Sequence, residues 1–146
     1  LENEAMLTSG SIAPSFNIKD LTNQTVPLAK FRDKVILVEF GSVDCGANPL
    51  ANPMLNNLNK KYALKEFSIV SIFSSESAEQ IKKYAQANNL QFQIYLGNKK
   101  LKRDFKTIAT PNFYLIDKNG TIIKGFNGFS DELEAELTKL IDSKIQ

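Results

Sequence analysis

The sequence predicts an α/β sandwich in which helices cover a central mixed sheet. Three observations carry that expectation. Two dense apolar runs, VILVEF at 35–40 and FSIVSIF at 67–73, read as strands buried on both faces, because a strand with one wet face would alternate. Between them lies a stretch of helical spacing, with Leu55, Leu58 and Tyr62 on one side. Beyond residue 110, two strand patterns flank Lys118-Asn119-Gly120 and a helical pattern closes the chain. The order βαβ, then α, then ββα is that of helices packed on a sheet.

The elements follow from local chemistry. Residues 1–11 are polar and unpatterned, and read as a flexible lead-in to a single domain over 12–146. Phe16 and Ile18 alternate with polar neighbours and 20–24 supplies turn residues, which predicts a hairpin over 12–26. The strand at 35–40 leads through a tight segment, 41–46, into a helix over 48–62 that Pro53 should kink. After the strand at 67–73, Ser77 is placed to cap a helix reaching 87, with Glu79 and Gln80 in its first turn. A strand at 92–95 and a short basic helix at 98–105 come next. Strands at 112–117 and 121–126 form a hairpin, and Ser130 is the expected cap of a last helix bearing Leu133, Leu137, Leu140 and Ile141 on one face.

Composition removes several classes of function. The chain has 146 residues, 42% hydrophobic and 23% charged, as a soluble globular domain does. Its net charge of +2 sets up no field for nucleic acid or a membrane surface. No apolar run approaches the roughly 20 residues that span a bilayer. The chain begins at Leu1 rather than Met, which leaves room for a leader or a membrane tether upstream. There is no His, which removes Cys–His and Ser–His–Asp catalysis and nearly all structural zinc sites. Cys45 is the only cysteine, so an intramolecular disulfide is impossible. Calcium-loop, phosphate-loop and dinucleotide-turn spacings are also missing, and no metal or cofactor is expected. Lys99, Lys100, Lys102 and Arg103 read as a solvated helix face, or else as a dock for an acidic partner; without interleaved aromatics they are a poor nucleic-acid signal. The phenylalanines read as core, with Phe126 and Phe129 as candidates for a surface groove.

Several separated motifs then carry a resemblance. Ala13-Pro14-x-Phe16, Asp20-Leu21, Leu28 and Lys34-Val35 open the pattern; Phe40 to Cys45 (FGSVDC), Pro53 and the run from Thr110 to Gly120 continue it. Over about 11–141 the chain resembles the TlpA/ResA-type thiol–disulfide proteins. That resemblance implies a thioredoxin-like α/β sandwich with an N-terminal β-hairpin extension. It also implies exchange with a protein or small-molecule thiol or disulfide, at a station outside the cytoplasm. The family's FWASWC becomes FGSVDC here, so Gly41 and Asp44 replace two tryptophans. Its CxxC becomes Cys45-Gly46-Ala47-Asn48, and a glutamate that follows the motif in ResA-like members is Ala51.

The candidate site residues follow. A thiol at the start of a helix faces unpaired amides and the positive end of the dipole, both of which favour thiolate, while Asp44 opposes it. A modest lowering of the Cys45 pKa is therefore expected; the alternative is a small buried apolar residue. Glu39 lies in the buried strand, where a desolvated carboxyl would hold its proton and could exchange it with the thiol; the alternative is a solvated strand-end residue. Thr110 and Pro111, by resemblance a cis pair, would position an extended substrate, with Gly46 and Ala47 completing the turn it meets. Asn48 cannot attack a mixed disulfide, so an adduct on Cys45 would persist until an outside thiol released it. Asn48 also reads as a plain helix-start residue, or as an engineered trap.

Three functions fit these residues. The first is monothiol exchange through Cys45. The second is a binding module that has kept the fold and lost the chemistry. The third is a one-cysteine peroxidase akin to peroxiredoxins, for which Ser42 stands three residues ahead of Cys45. Against the third, Val38 occupies the place of a peroxiredoxin proline, and only Arg32 and Arg103 could supply an activating arginine.

Overall fold

The computed structural model describes residues 6–107 and 109–145. Its centre is strand β3, Val35–Gly41, buried along its whole length as the dense apolar run predicts, Glu39 included. Parallel to it on one side runs β4, Phe67–Phe73, and beyond that β5, Ile94–Leu96. On the other side β6, Asn112–Ile116, and β7, Ile122–Asn127, are antiparallel. The hairpin of β1, Asn17–Lys19, and β2, Thr25–Pro27, adds to the β5 edge through the pair Lys19–Leu96. The seven strands lie in the order β2-β1-β5-β4-β3-β6-β7.

Because side chains alternate across each strand, the sheet has two cores. On one face Leu37, Phe113 and Leu115 pack beneath helices α1, Asn48–Lys61, and α4, Leu133–Lys144. Helix α2, Ala78–Ala87, extends this cover, with Ile81 and Tyr84 against Phe73 and Ile94. On the other face Val38, Phe40, Val70 and Tyr114 pack against the hairpin and against Leu101 and Phe105 of helix α3, Lys99–Asp104, and the turn after it. No helix among the described residues is long and apolar enough to cross a membrane.

The expected caps are met at α2 and missed at α4. Ser77 accepts from the Gln80 amide and Gln80 answers the Ser77 amide, a closed capping box. Ser130 does not cap α4 with its side chain: that helix begins at Leu133 after Glu132, and Ser130 contributes only its carbonyl, which accepts from Leu133 N at 3.1 Å. A serine supplies the right chemistry for a cap, but here two further residues turn before the helix starts. Pro53 sits inside α1, where it withholds a backbone donor from the Pro49 carbonyl. The strand expected at 92–95 starts later, at Ile94.

The lead-in also differs from expectation. Residues 1–5 lie outside the described residues. Met6 and Leu7 pack against the core, Leu7 N donates to the Tyr114 hydroxyl at 3.0 Å, and Gly10 N donates to the Ile122 carbonyl at 2.8 Å. Two apolar side chains in a polar stretch are enough to seat it. Phe126 is likewise a core residue under α4, not the wall of a groove.

Leu55 projects from α1 into the first core and is fully buried. Leu55→Ala should cost about 2–5 kcal/mol, read as a lower denaturant midpoint with an unchanged slope.

Candidate functional site

Three turns meet at the carboxyl-terminal ends of the parallel strands. The β3–α1 turn, residues 42–47, carries Cys45. The α3–β6 connection brings Thr110 and Pro111, joined by a cis peptide bond, opposite it. The β4–α2 turn supplies Glu76.

The turn carrying Cys45 is held by polar contacts. Glu76 Oε2 accepts from Ser42 Oγ and from Val43 N, each at 3.0 Å. Ser42 Oγ accepts in turn from Asp44 N at 3.2 Å. Glu76 was not among the residues singled out from the sequence. It reaches the turn from 34 residues away, and nothing in its own neighbourhood marks it.

Cys45 is half-buried, and its Sγ lies 2.9 Å from the Thr110 carbonyl, to which the thiol donates. Its pKa is held below the ordinary thiol value. The largest cause is a hydrogen bond from the Thr110 side chain, which burial opposes and the amides of Ala47 and Asn48 reinforce. The two contacts with Thr110 pull in opposite directions: the side chain stabilises thiolate, whereas the carbonyl can hold only the protonated form. The carbonyl bond is lost once the proton leaves; the donors remain. Gly46 and Ala47 are exposed on the same turn, and α1 begins at Asn48 without a side-chain cap.

Beneath the turn is a closed polar cluster. Glu39 is 1% exposed in the middle of the sheet, and burial pushes its carboxyl up to about 7 against hydrogen bonds from Ser71 and Asn48 that favour the charge. Ser71 Oγ donates to Glu39 Oε1 at 2.6 Å, and Asn48 Nδ2 donates to Oε2 at 3.3 Å. The Asn48 Oδ1 accepts from Ser42 N at 3.0 Å, so the amide links the buried acid to the turn above. Asn52 Nδ2 donates to the Tyr84 hydroxyl at 3.1 Å alongside.

Gly41 completes this packing. A Cβ there would come within 2.5 Å of the Phe73 ring and 2.9 Å of the Asn48 amide nitrogen. The position accepts only glycine while both neighbours keep their places.

The structure thus brings Cys45, Thr110 and Pro111 together, and separately joins Glu39 to Asn48. Among the described residues no hydrogen bond links Glu39 to Cys45, and the Asn48 side chain is spent on Glu39 and Ser42 rather than on the sulfur. Ser42 gives its hydroxyl to Glu76. Arg32 lies at the opposite end of the sheet, in a cleft with Ile36 and Ile116, and Arg103 is exposed on α3. No group of three or more carboxylates or thiols suited to a metal is present among the described residues.

Comparison with known proteins bears on the fold that carries this site. The pattern of the AhpC/TSA family matches residues 9–124. Thioredoxin-like protein YneN of Bacillus subtilis is 27% identical over 123 residues, covering 83% of this chain and 72% of that protein. Thiol-disulfide oxidoreductase ResA of Bacillus cereus is 26% identical over 140 residues, 94% of this chain and 81% of that one. Among solved structures, the thioredoxin domain of a thiol-disulfide oxidoreductase from Bacteroides vulgatus superposes with a TM-score of 0.83 at 24% identity, covering 92% of this chain and 99% of the other. A thiol:disulfide interchange protein from a Bacteroides species gives 0.80 at 25% identity, with 93% and 91% covered. The sandwich is therefore of the thioredoxin type.

Burial of Glu39 sets a pH dependence. Below about pH 4.5 folded and unfolded chains both carry its proton; between about 4.5 and 7 only the folded chain keeps it. Stability contributed by the protonated acid should thus fall as pH rises through that window, by on the order of 3 kcal/mol, and level off above it. Denaturant titrations across the window should show this slope in the wild type and its absence in Glu39→Gln.

Proposed function

We propose, for a chain that belongs to the AhpC/TSA family, that Cys45 carries out thiol–disulfide exchange alone. The observation that carries this reading is the pairing of a half-exposed Cys45, its pKa lowered beside Thr110, with a buried asparagine at position 48. The Cys45 thiolate attacks one sulfur of a disulfide; the S–S bond breaks, one half leaves as thiolate, and the other stays on Cys45 as a mixed disulfide. An external thiolate then attacks that bond and returns Cys45 to its starting form. Thr110 and Pro111, with Gly46 and Ala47, form the surface against which the substrate lies. Glu39 acts from below as a positioning residue: its buried carboxyl accepts from Asn48, whose amide holds the turn that presents the thiol. By resemblance to the TlpA/ResA type, the protein works outside the cytoplasm.

The peroxidase reading loses support, because Ser42 is engaged with Glu76, Arg32 lies in the cleft at the far end of the sheet, and Arg103 is exposed on α3. The binding-module reading keeps one specific support: the side chain at 48 is built into the floor of the site, where it serves packing.

Incubation with glutathione disulfide followed by mass spectrometry separates the two. A mixed disulfide on Cys45 that persists until an external thiol is added is the expected result. Asn48→Cys should discharge the same adduct internally, leaving it a minor species. A Cys45 that forms no adduct, in a protein whose Cys45→Ser variant still binds a partner with full affinity, would establish the binding module.

A further inference from the structure

A cleft of about 200 Å³ opens beside Cys45, between the β3–α1 turn, the β4–α2 turn and the α3–β6 connection. It shares Ser42 and Thr110 with the turn that holds the thiol, and Ser74, Ser75, Lys102 and Thr107 also line it. Ser74 Oγ and Thr107 Oγ1 are shielded from solvent and have no hydrogen-bond partner among the described residues. A hydroxyl left unpaired in this way costs free energy, and it can turn to a ligand oxygen without giving up any existing bond. Asn112, next after Pro111, is fully buried with both amide atoms unpartnered. Strand alternation puts it on the same face as Tyr114 and Ile116, the face covered by α3. The charged residue lining the cleft is Lys102. The Glu76 carboxylate holds Ser42 and Val43 through Oε2, with its Oε1 buried and unpartnered among the described residues, and Ser42 is excluded as a donor because its proton goes to Glu76.

We propose that this cleft is a subsite for the carboxylate of a small anionic disulfide, seated so that its sulfur reaches Cys45. Hydroxyl donors next to a single ammonium suit a carboxylate better than a neutral or cationic group. Thr110 forms the border between the two sites, so one end of a short molecule can occupy the cleft while its disulfide lies against Sγ. The inference rests on Cys45 being an exchanging thiol and adds the class of its partner: a low-molecular-weight disulfide with a carboxylate a few bonds from sulfur. The step is the one already given. Cys45 thiolate displaces one half of the molecule as thiolate, and the half left on Cys45 keeps its carboxylate in the cleft.

The test is the second-order rate of mixed-disulfide formation with three probes: dithiodipropionate (anionic), 2-hydroxyethyl disulfide (neutral) and cystamine (cationic). The wild type should favour the anionic probe over the neutral one by about fivefold, and over the cationic one by more. Lys102→Gln and Thr107→Val should each erase most of that preference while leaving the rate with the neutral probe unchanged. Lys99→Gln, on the same helix but outside the cleft, should keep it, which separates a local site from a general field. Equal rates with all three probes, or a preference that survives Lys102→Gln, would overturn the subsite and leave monothiol exchange standing. Failure of Cys45 to react with any probe would overturn both.

Discussion

A carboxyl group in the middle of the sheet is the constraint around which this site is arranged. Glu39 has no water to share its charge with, so its proton and its two neighbours must do so. Ser71 approaches from β4 and Asn48 from α1, and both can donate only while the helix and the neighbouring strand keep their registers. The same amide of Asn48 holds the backbone of Ser42, so the turn that presents Cys45 is aligned with the acid beneath it. A buried polar cluster whose members all find partners rigidifies what it touches. Here it fixes the floor of the turn, while Glu76 fixes its side.

Above that floor the chemistry is separate. Cys45 touches Thr110 and the amides at the end of its own turn, and the acid is tied to that turn through Asn48 and Ser42. The place that the second cysteine takes in a CxxC site is taken here by Asn48, which fills the space and has no sulfur to react. The region on the α3 side of Thr110 is wetter and less well satisfied than the floor, which suits a place for a ligand rather than for packing.

The frame of the fold was legible in the sequence because it depends on periodicity. The runs at 35–40 and 67–73 could hardly be anything but strands buried on both faces, and Ser77 with Gln80 announced a closed cap. Ser130 misled because its residue type is right for a cap, while the turn that follows it depends on how the chain leaves β7. The lead-in misled for the opposite reason, as Met6 and Leu7 show no period yet find the Tyr114 face. At the site, Cys45, Thr110 and Pro111 were readable from resemblance, and Glu39 from its place in an apolar run. Glu76, Ser71 and the cleft near Lys102 were not, because each depends on which turns meet in space. Asn48 was visible as a departure from CxxC; that its side chain would turn down to the acid could be seen only once the strands were in place.

Gly41 ties two departures from the family pattern to each other in space. With Phe73 and the Asn48 amide already within Cβ reach, the tryptophan of FWASWC has no room at 41. The residues at 41 and 48 are therefore not independent: what can stand at one depends on what stands at the other and on Phe73. A larger side chain at 41 needs both the Phe73 ring and the residue at 48 to give way, the ring most because it lies nearer. Tryptophan at 41 as a single substitution is therefore closed to this packing, whatever chemistry the thiol above it carries out.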